Sequence, residues 1–253
     1  MKKWLIIILF YLLFGPVTAQ VTEMQNLLQQ ANQLYADNQY NAAIELYEKI
    51  LQGNYESPAL YFNLGNAYFK EGNIPAAILN YEKALKLDPT DNDIRYNLDL
   101  ANSRIVDKIE PLPEFFMKTW WRNIRDLFSS DQWARAGLLL LILSLASAFV
   151  FFVSRSILAR KISFWTGTSF IFMVLIAFVF SSSGYRHYNR SDSAIIFNPT
   201  VTVKSSPNDN SVDLFVIHEG TKVTISDQVE GWSEIRLANG NVGWVKTSSF
   251  TAF

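Results

Sequence analysis

Apolar residues follow three different patterns along the chain, and each pattern predicts a different kind of element. Between residues 24 and 106 they recur every three to four positions, as on one face of an amphipathic helix. Two stretches, 136–154 and 162–185, carry no charged residue and are long enough to cross a bilayer. From residue 194 onward apolar and polar residues alternate, as in half-buried strands. The pattern predicts a multidomain membrane protein with an all-α part, a two-helix transmembrane hairpin and an all-β part.

The amino-terminal residues 1–19 have the composition of a secretory signal peptide. Lys2 and Lys3 precede an apolar run from Trp4 to Phe14, and Val17-Thr18-Ala19 supplies small residues before a cut at Gln20. The apolar run is shorter than the roughly 20 residues that a membrane span needs. An uncleaved anchor is the alternative. Both interpretations place the residues that follow outside the cytoplasm.

Residues 24–57 and 58–91 align without gaps at an offset of 34 residues. Small residues recur at one aligned position, Ala31 and Gly65, where two helices can approach closely, and tyrosines recur at another. The second copy carries, in order, Leu64, Gly65, Tyr68, Ala77, Tyr81, Ala84 and Pro89. This spacing resembles the tetratricopeptide repeat. The helical repeat domain is expected over 20–110, with repeats at 24–57 and 58–91 and a capping helix at 92–106.

The tetratricopeptide resemblance implies a concave face that binds peptides or other proteins. The residues expected there are Leu28, Asn32, Tyr35, Phe62, Asn63, Asn66, Phe69, Lys70, Tyr96 and Asn97. Asn32 and Asn63 stand where some repeat domains grip a peptide carboxylate. The basic partners of such a clamp are absent, because Leu28, Asp93 and Asn97 occupy their positions. Packing of the aromatic residues, docking of a whole protein and self-association are the alternatives.

Residues 114–128 are predicted to form an amphipathic helix beside the membrane. Phe116, Trp120, Ile124 and Phe128 recur every four residues, and the basic residues fall mostly on the other side. Such a helix suits the headgroup region of a bilayer. A partner-binding helix is the alternative.

The two apolar stretches are predicted to act as an anchor. Arg155, Arg160 and Lys161 lie in the short loop between 136–154 and 162–185, which favours a cytoplasmic loop. Basic residues also flank the opposite end of the first stretch, so the predicted signal peptide decides the orientation. Neither stretch holds an ionisable residue, whereas transport and proton relay usually leave one inside the membrane. Positions expected to pack the two helices together are Ser144, Ser147, Gly167 and Ser169.

The carboxy-terminal residues 194–253 are predicted to form a small β domain. Six candidate strands begin at residues 194, 201, 214, 222, 233 and 243, and Asn239-Gly240 is a strong hairpin turn signal. The segments Val201–Ser205, Gly231-Trp232 and Gly243-Trp244-Val245 resemble a bacterial SH3-like domain, which implies an all-β SH3-like barrel. By this resemblance Trp232 and Trp244 are the candidate partner-binding residues. Their alternative role is to cover the small core.

Composition narrows the chemistry. The chain has 22 basic and 23 acidic residues, so no global field points to nucleic acid. It has no cysteine and two histidines, of which His218 precedes a turn at Gly220 and is expected to be structural. No catalytic, cofactor-binding or metal site is predicted, and the protein is expected not to be an enzyme.

The order of signal peptide, repeats, two spans and SH3-like domain resembles the BatE proteins of the Bacteroides aerotolerance (Bat) group. The resemblance implies other Bat proteins with von Willebrand A-type domains as partners, a link to a MoxR-type AAA+ ATPase, and a role in envelope stress or aerotolerance. The chain is therefore interpreted as a scaffold in the bacterial inner membrane with both domains in the periplasm. Peptidoglycan sensing through the SH3-like domain is the alternative function.

Overall fold

A computed structural model describes residues 23–253. The predicted signal peptide, 1–19, lies outside the described residues. The helices are α1 (23–36), α2 (Tyr40–Gln52), α3 (Pro58–Lys70), α4 (Ile74–Leu87), α5 (Asn92–Asn102), α6 (Phe116–Arg125), α7 (Ser130–Val153) and α8 (Ile157–Tyr188). The strands are β1 (Ser193–Ile196), β2 (Thr200–Lys204), β3 (Asp213–His218), β4 (Lys222–Val229), β5 (Trp232–Arg236), β6 (Val242–Lys246) and β7 (Phe250–Ala252). This is the multidomain architecture that the sequence predicts.

Local capping explains where the repeat helices begin. Ser57 accepts the Leu60 amide at 3.1 Å before α3, and Asn73 accepts the Ala76 amide at 3.1 Å before α4. These side chains satisfy amide groups that have no partner inside the helix. The turn between α3 and α4 contains Gly72 at φ +82°, the positive value that its place in the pattern predicts.

The helices α7 and α8 form an antiparallel hairpin whose two outer ends adjoin. Ser130 and Ser181 exchange hydroxyl-to-carbonyl hydrogen bonds of 3.0 and 3.1 Å. Farther along, the Ser144 hydroxyl donates to the Gly167 carbonyl at 3.3 Å. Ser169 is exposed, so its predicted packing role is wrong. Both domains therefore leave the hairpin at the same end.

Length and exposure make α7 and α8 suited to a bilayer. With 24 and 32 residues they measure about 36 and 48 Å, against a hydrocarbon core of about 30 Å. Only 6% and 17% of the residues in their most apolar windows are buried. A core helix of a soluble protein would bury most of them, so this apolar surface needs an apolar solvent.

The carboxy-terminal strands form one antiparallel sheet in the order β3-β2-β6-β5-β4-β1-β7. The turn after β5 holds Gly240 at φ +86°, and β5 pairs with β6 from Trp232↔Lys246 to Arg236↔Val242, which confirms the hairpin signal. Bulges after Val203 and after Ile225 bend the strands that carry them. The bends let this short sheet curl around a core of its own.

The repeat domain and the sheet share one hydrophobic cluster. Ile195 of β1 and the carboxy-terminal Phe253 are buried against Ile78, Leu79 and other residues of α4 and α5. Two further clusters belong to the first repeat and to the interior of the sheet. The domains are thus packed together and are not tethered by a free linker.

Several predicted bounds differ from the observed elements. The helix after the second repeat ends at Asn102, before the expected Val106, because the chain then turns to follow the sheet. Arg160 and Lys161 lie inside α8, which Ser156 caps, and the loop shrinks to residues 154–156. A seventh strand, β7, pairs with β1 and carries too few residues to show an alternating pattern.

Candidate functional site

The groove of the repeat domain contains a hydrogen-bonded network that repeats with the sequence. The Asn32 side-chain oxygen accepts from the Tyr47 hydroxyl at 2.7 Å and from the Asn63 amide at 3.0 Å. Moving every position by 34 residues gives the second unit. There Asn66 accepts from the Tyr81 hydroxyl at 2.8 Å and from the Asn97 amide at 2.7 Å.

This network fixes four asparagines that the sequence assigns to the binding face. The oxygens of Asn32 and Asn66 are already occupied, while Asn63 and Asn97 keep a carbonyl oxygen free of side-chain partners among residues 23–253. Burial raises the pKa of Tyr47 to about 12 and raises that of Tyr81 as well, with Tyr35 contributing to both. Both hydroxyls therefore stay protonated donors. The offset of 34 was the available signal, but pairing across repeats requires the fold.

The aromatic residues of the groove differ in exposure. Phe62 and Phe69 pack against the shared cluster, and the ring centroid of Phe62 lies 6.0 Å from that of Tyr81. Tyr35 packs on the first-repeat core and meets Tyr40 edge to face at 5.4 Å. Tyr96 is 69% exposed.

Leu28 packs partly into the first-repeat core, and Lys70 is exposed at the end of α3. The groove thus combines a packed aromatic wall, amide groups that face the opening, and one open tyrosine. Extended peptides use such a combination of backbone-like polar groups and apolar contact.

Trp232 and Trp244 lie on the outward face of adjacent strands. In β5 and β6 the residues Ser233, Ile235, Gly243 and Val245 point inward and are buried. Both tryptophans are half-buried, and neither belongs to the buried cluster inside the sheet. The pairing places Trp232 opposite Lys246 and Trp244 opposite Glu234, so the rings are diagonal neighbours on one face.

Charged groups border the two rings. The Lys246 ammonium lies 5.6 Å from the Trp232 ring centroid and 2.8 Å from an Asp209 carboxylate oxygen. Lys204, which pairs with Trp244 across β2 and β6, binds Asp213 at 2.7 Å. A flat aromatic surface rimmed by ions suits peptides and other polar polymers with apolar faces.

The sequence gives no sign of the polar contact that joins the segment after α5 to the sheet. The Asp107 carboxylate accepts the His218 amide at 2.6 Å and the Thr221 hydroxyl at 2.7 Å, and it meets His218 Nδ1 at 2.9 Å. Burial raises the pKa of Asp107, but the hydrogen bonds from His218 and Thr221 outweigh it and hold the pKa below its ordinary value. His218 therefore serves the domain interface.

Close packing continues around this contact. A Cβ atom at Gly220 would lie 2.4 Å from Ile105 Cγ2, so only glycine fits there. Leu112 donates its amide to the Ala238 carbonyl at 3.0 Å, and Lys222 binds Glu82 at 2.7 Å. The groove and the tryptophan face are consequently held in a fixed relation.

Among residues 23–253 no group of three or more His, Asp or Glu side chains is arranged to hold a metal ion. The polar clusters of this part of the chain are hydrogen-bonded networks and ion pairs. The geometry offers binding surfaces.

Comparison with known proteins identifies both modules. Residues 58–91 match the tetratricopeptide repeat family, and residues 199–251 match the bacterial SH3 domain family. A segment of 86 residues, 34% of the chain, is 34% identical to sperm-associated antigen 1 of Rattus norvegicus and covers 10% of that protein. Repeats of this kind form extended concave binding surfaces. The chain therefore combines a helical repeat module with a bacterial SH3 domain, both typical of protein interaction.

Proposed function

We propose that the protein is a membrane-anchored adaptor of the bacterial envelope, similar to BatE proteins, that binds two partners and catalyses no reaction. The supporting observation is that two interaction modules share one hydrophobic cluster at one end of a long apolar hairpin. A rigid pair of surfaces holds two bound proteins at a defined spacing, since no flexible linker lets them separate. The hairpin keeps that assembly at the membrane.

The proposed orientation places both modules in the periplasm and residues 154–156 in the cytoplasm. The predicted signal peptide and the basic residues near that loop support it. The chain has no cysteine, so single-cysteine variants of the full protein report topology directly. Glu45→Cys, Arg155→Cys and Ser248→Cys all replace exposed residues.

A membrane-impermeant maleimide is expected to label the variants at positions 45 and 248 in spheroplasts. The variant at position 155 is expected to react only after lysis. Labelling of position 155 in intact spheroplasts, with positions 45 and 248 protected, would reverse the orientation and exclude periplasmic partners.

The partners proposed for the groove are Bat proteins with von Willebrand A-type domains. A photo-crosslinking residue at Tyr96, in the open part of the groove, is expected to capture such a protein in whole cells. The same residue at Glu45, exposed on α2, is the matched control. Equal capture at both positions, or capture of cytoplasmic proteins alone, would contradict the proposal.

Peptidoglycan binding is the second candidate function, and the outward Trp232 and Trp244 favour it. Purified full-length protein in detergent would be sedimented with isolated cell-wall sacculi. If the sheet binds the wall, Trp244→Ala should reduce the bound fraction, whereas Tyr96→Ala, which removes an aromatic ring from the other module, should not. Equal binding by both variants and the unchanged protein would exclude the tryptophan face as the wall-binding surface.

A further inference from the structure

A cavity of about 330 Å³ lies where the repeat domain, the sheet and the outer ends of α7 and α8 meet. Its walls come from α4, α6, β4 and the hairpin ends at Ser130 and Gly184. The volume falls in the range of small-molecule sites. Neither the groove nor the tryptophan face contributes to it.

Positive side chains dominate the wall of this cavity. They are Lys86, Arg95, Arg122, Arg125 and Lys222, against the carboxylates Glu82 and Asp126. A neighbouring cavity of about 500 Å³ shares Arg125 and adds Arg186 and Arg190. The excess of positive charge favours an anionic ligand.

Two of these cations have no carboxylate within ion-pair distance among residues 23–253. Arg122, Arg125 and Lys222 bind Glu114, Asp126 and Glu82, at 2.5 to 2.7 Å. Lys86 instead donates to the Arg190 carbonyl at 2.7 Å, and Arg95 donates to the Pro89 carbonyl. Lys86 and Arg95 therefore keep their charge available to a ligand.

The environment of Lys86 disfavours its own charge. Burial lowers the pKa of Lys86, and the positive charges of Lys222 and Lys83 lower it further. Asp192 and Glu82 act in the opposite direction without restoring the ordinary value. An anion in the cavity would relieve this cost.

The cavity lies at the depth where a bilayer would place its headgroups. Beside it, α6 exposes Phe116 and Trp120 and stacks Trp121 on Phe180 of α8, with 4.9 Å between ring centroids. Trp133 of α7 ties in α6 by donating to the Arg125 carbonyl at 2.9 Å. Tryptophan belts of this kind lie at the interface between hydrocarbon and water.

We propose that this cavity binds a phosphate group, with Lys86 and Arg95 as its principal cationic contacts. Lysine and arginine form charge-assisted hydrogen bonds to phosphate oxygens. The position at the outer ends of α7 and α8 makes an anionic phospholipid headgroup the favoured source. Basic pockets of membrane proteins recognise lipid headgroups in the same way. Such a lipid would fix the two modules relative to the membrane surface.

The test is native mass spectrometry of the full-length protein in detergent. Three ligands are compared at equal concentration: phosphatidylglycerol, phosphatidylcholine and inorganic phosphate. Preferential retention of phosphatidylglycerol is expected. Each basic residue near anionic lipid is worth about fivefold in affinity, so the double variant Lys86→Gln/Arg95→Gln should bind about twentyfold more weakly.

The control is Lys49→Gln/Arg104→Gln, which removes the same charge from exposed positions away from the cavity. Lys86→Arg should keep binding, which separates loss of charge from loss of fold. Binding of inorganic phosphate that the double variant abolishes, without any lipid preference, would keep the phosphate site and exclude the lipid source. Equal phosphatidylglycerol binding by the double variant and its control would overturn the proposal. Neither result depends on the identity of the partner proteins.

Discussion

Removing the Asp107 carboxylate should loosen the sheet from the repeat domain without unfolding either. The Asp107 side chain is 15% exposed, and Thr221, one of its donors, is 2% exposed. Hydrogen bonds to a charged group contribute about 1.5–3 kcal/mol each, and buried donors left without a partner add to the loss. His218 is partly exposed and can turn to water. The estimate for Asp107→Ala is therefore about 2–4 kcal/mol of docking free energy.

Hydrogen exchange of the full-length protein measures this loss locally. The peptide covering residues 215–222 contains the His218 amide that Asp107 accepts. A loss of 2–4 kcal/mol in opening free energy accelerates exchange there by about thirty- to several-hundred-fold. Asp107→Asn keeps an acceptor and should show a smaller effect of about 1 kcal/mol. Asp99→Ala, at an exposed position of α5, should show none.

Unchanged protection of residues 215–222 in Asp107→Ala would refute this reasoning, because docking would then rest on the hydrophobic cluster alone. The pH dependence gives a second check. The folded-state pKa of Asp107 lies below its ordinary value, so its contribution is present above about pH 4 and is lost as pH falls through the folded-state pKa. The difference in protection between unchanged protein and Asp107→Ala should disappear in that range.

Three further substitutions test close contacts, each by thermal unfolding of the full-length protein. A Cβ atom at Gly65 would lie 2.7 Å from the Tyr81 ring, so Gly65→Ala should cost about 1–3 kcal/mol, and an unchanged midpoint would contradict the tight helix contact. Gly220→Ala adds strain at φ +82° to the contact with Ile105 and should cost about 2 kcal/mol or more; full stability would mean that the interface yields. Tyr47→Phe deletes one donor of the asparagine network and should cost about 1 kcal/mol, whereas a gain in stability would show that the network does not stabilise the repeats.

Part of the candidate site could be predicted from the sequence. The period of 34 residues indicates which positions line the groove, and alternation places Trp232 and Trp244 on the same side of their strands as Glu234. The sequence did not reveal that Asn32 and Asn66 would spend their oxygens on tyrosine hydroxyls and on the next repeat. That pairing depends on how far one helix pair rotates against the next, which has no local signature.

The sequence by itself determined the kinds of element and their order, because helix, strand and membrane span each impose a short-range period of apolar residues. Capping at Ser57 and Ser129 and the turn at Gly240 are equally local. Only the tertiary structure decided that the two modules are docked, that Asp107 holds the turn at His218, and that cations from four elements surround one cavity. These contacts join residues more than 100 positions apart, such as Asp107 with His218 and Glu82 with Lys222. No periodicity spans that distance, so packing alone brings such groups together.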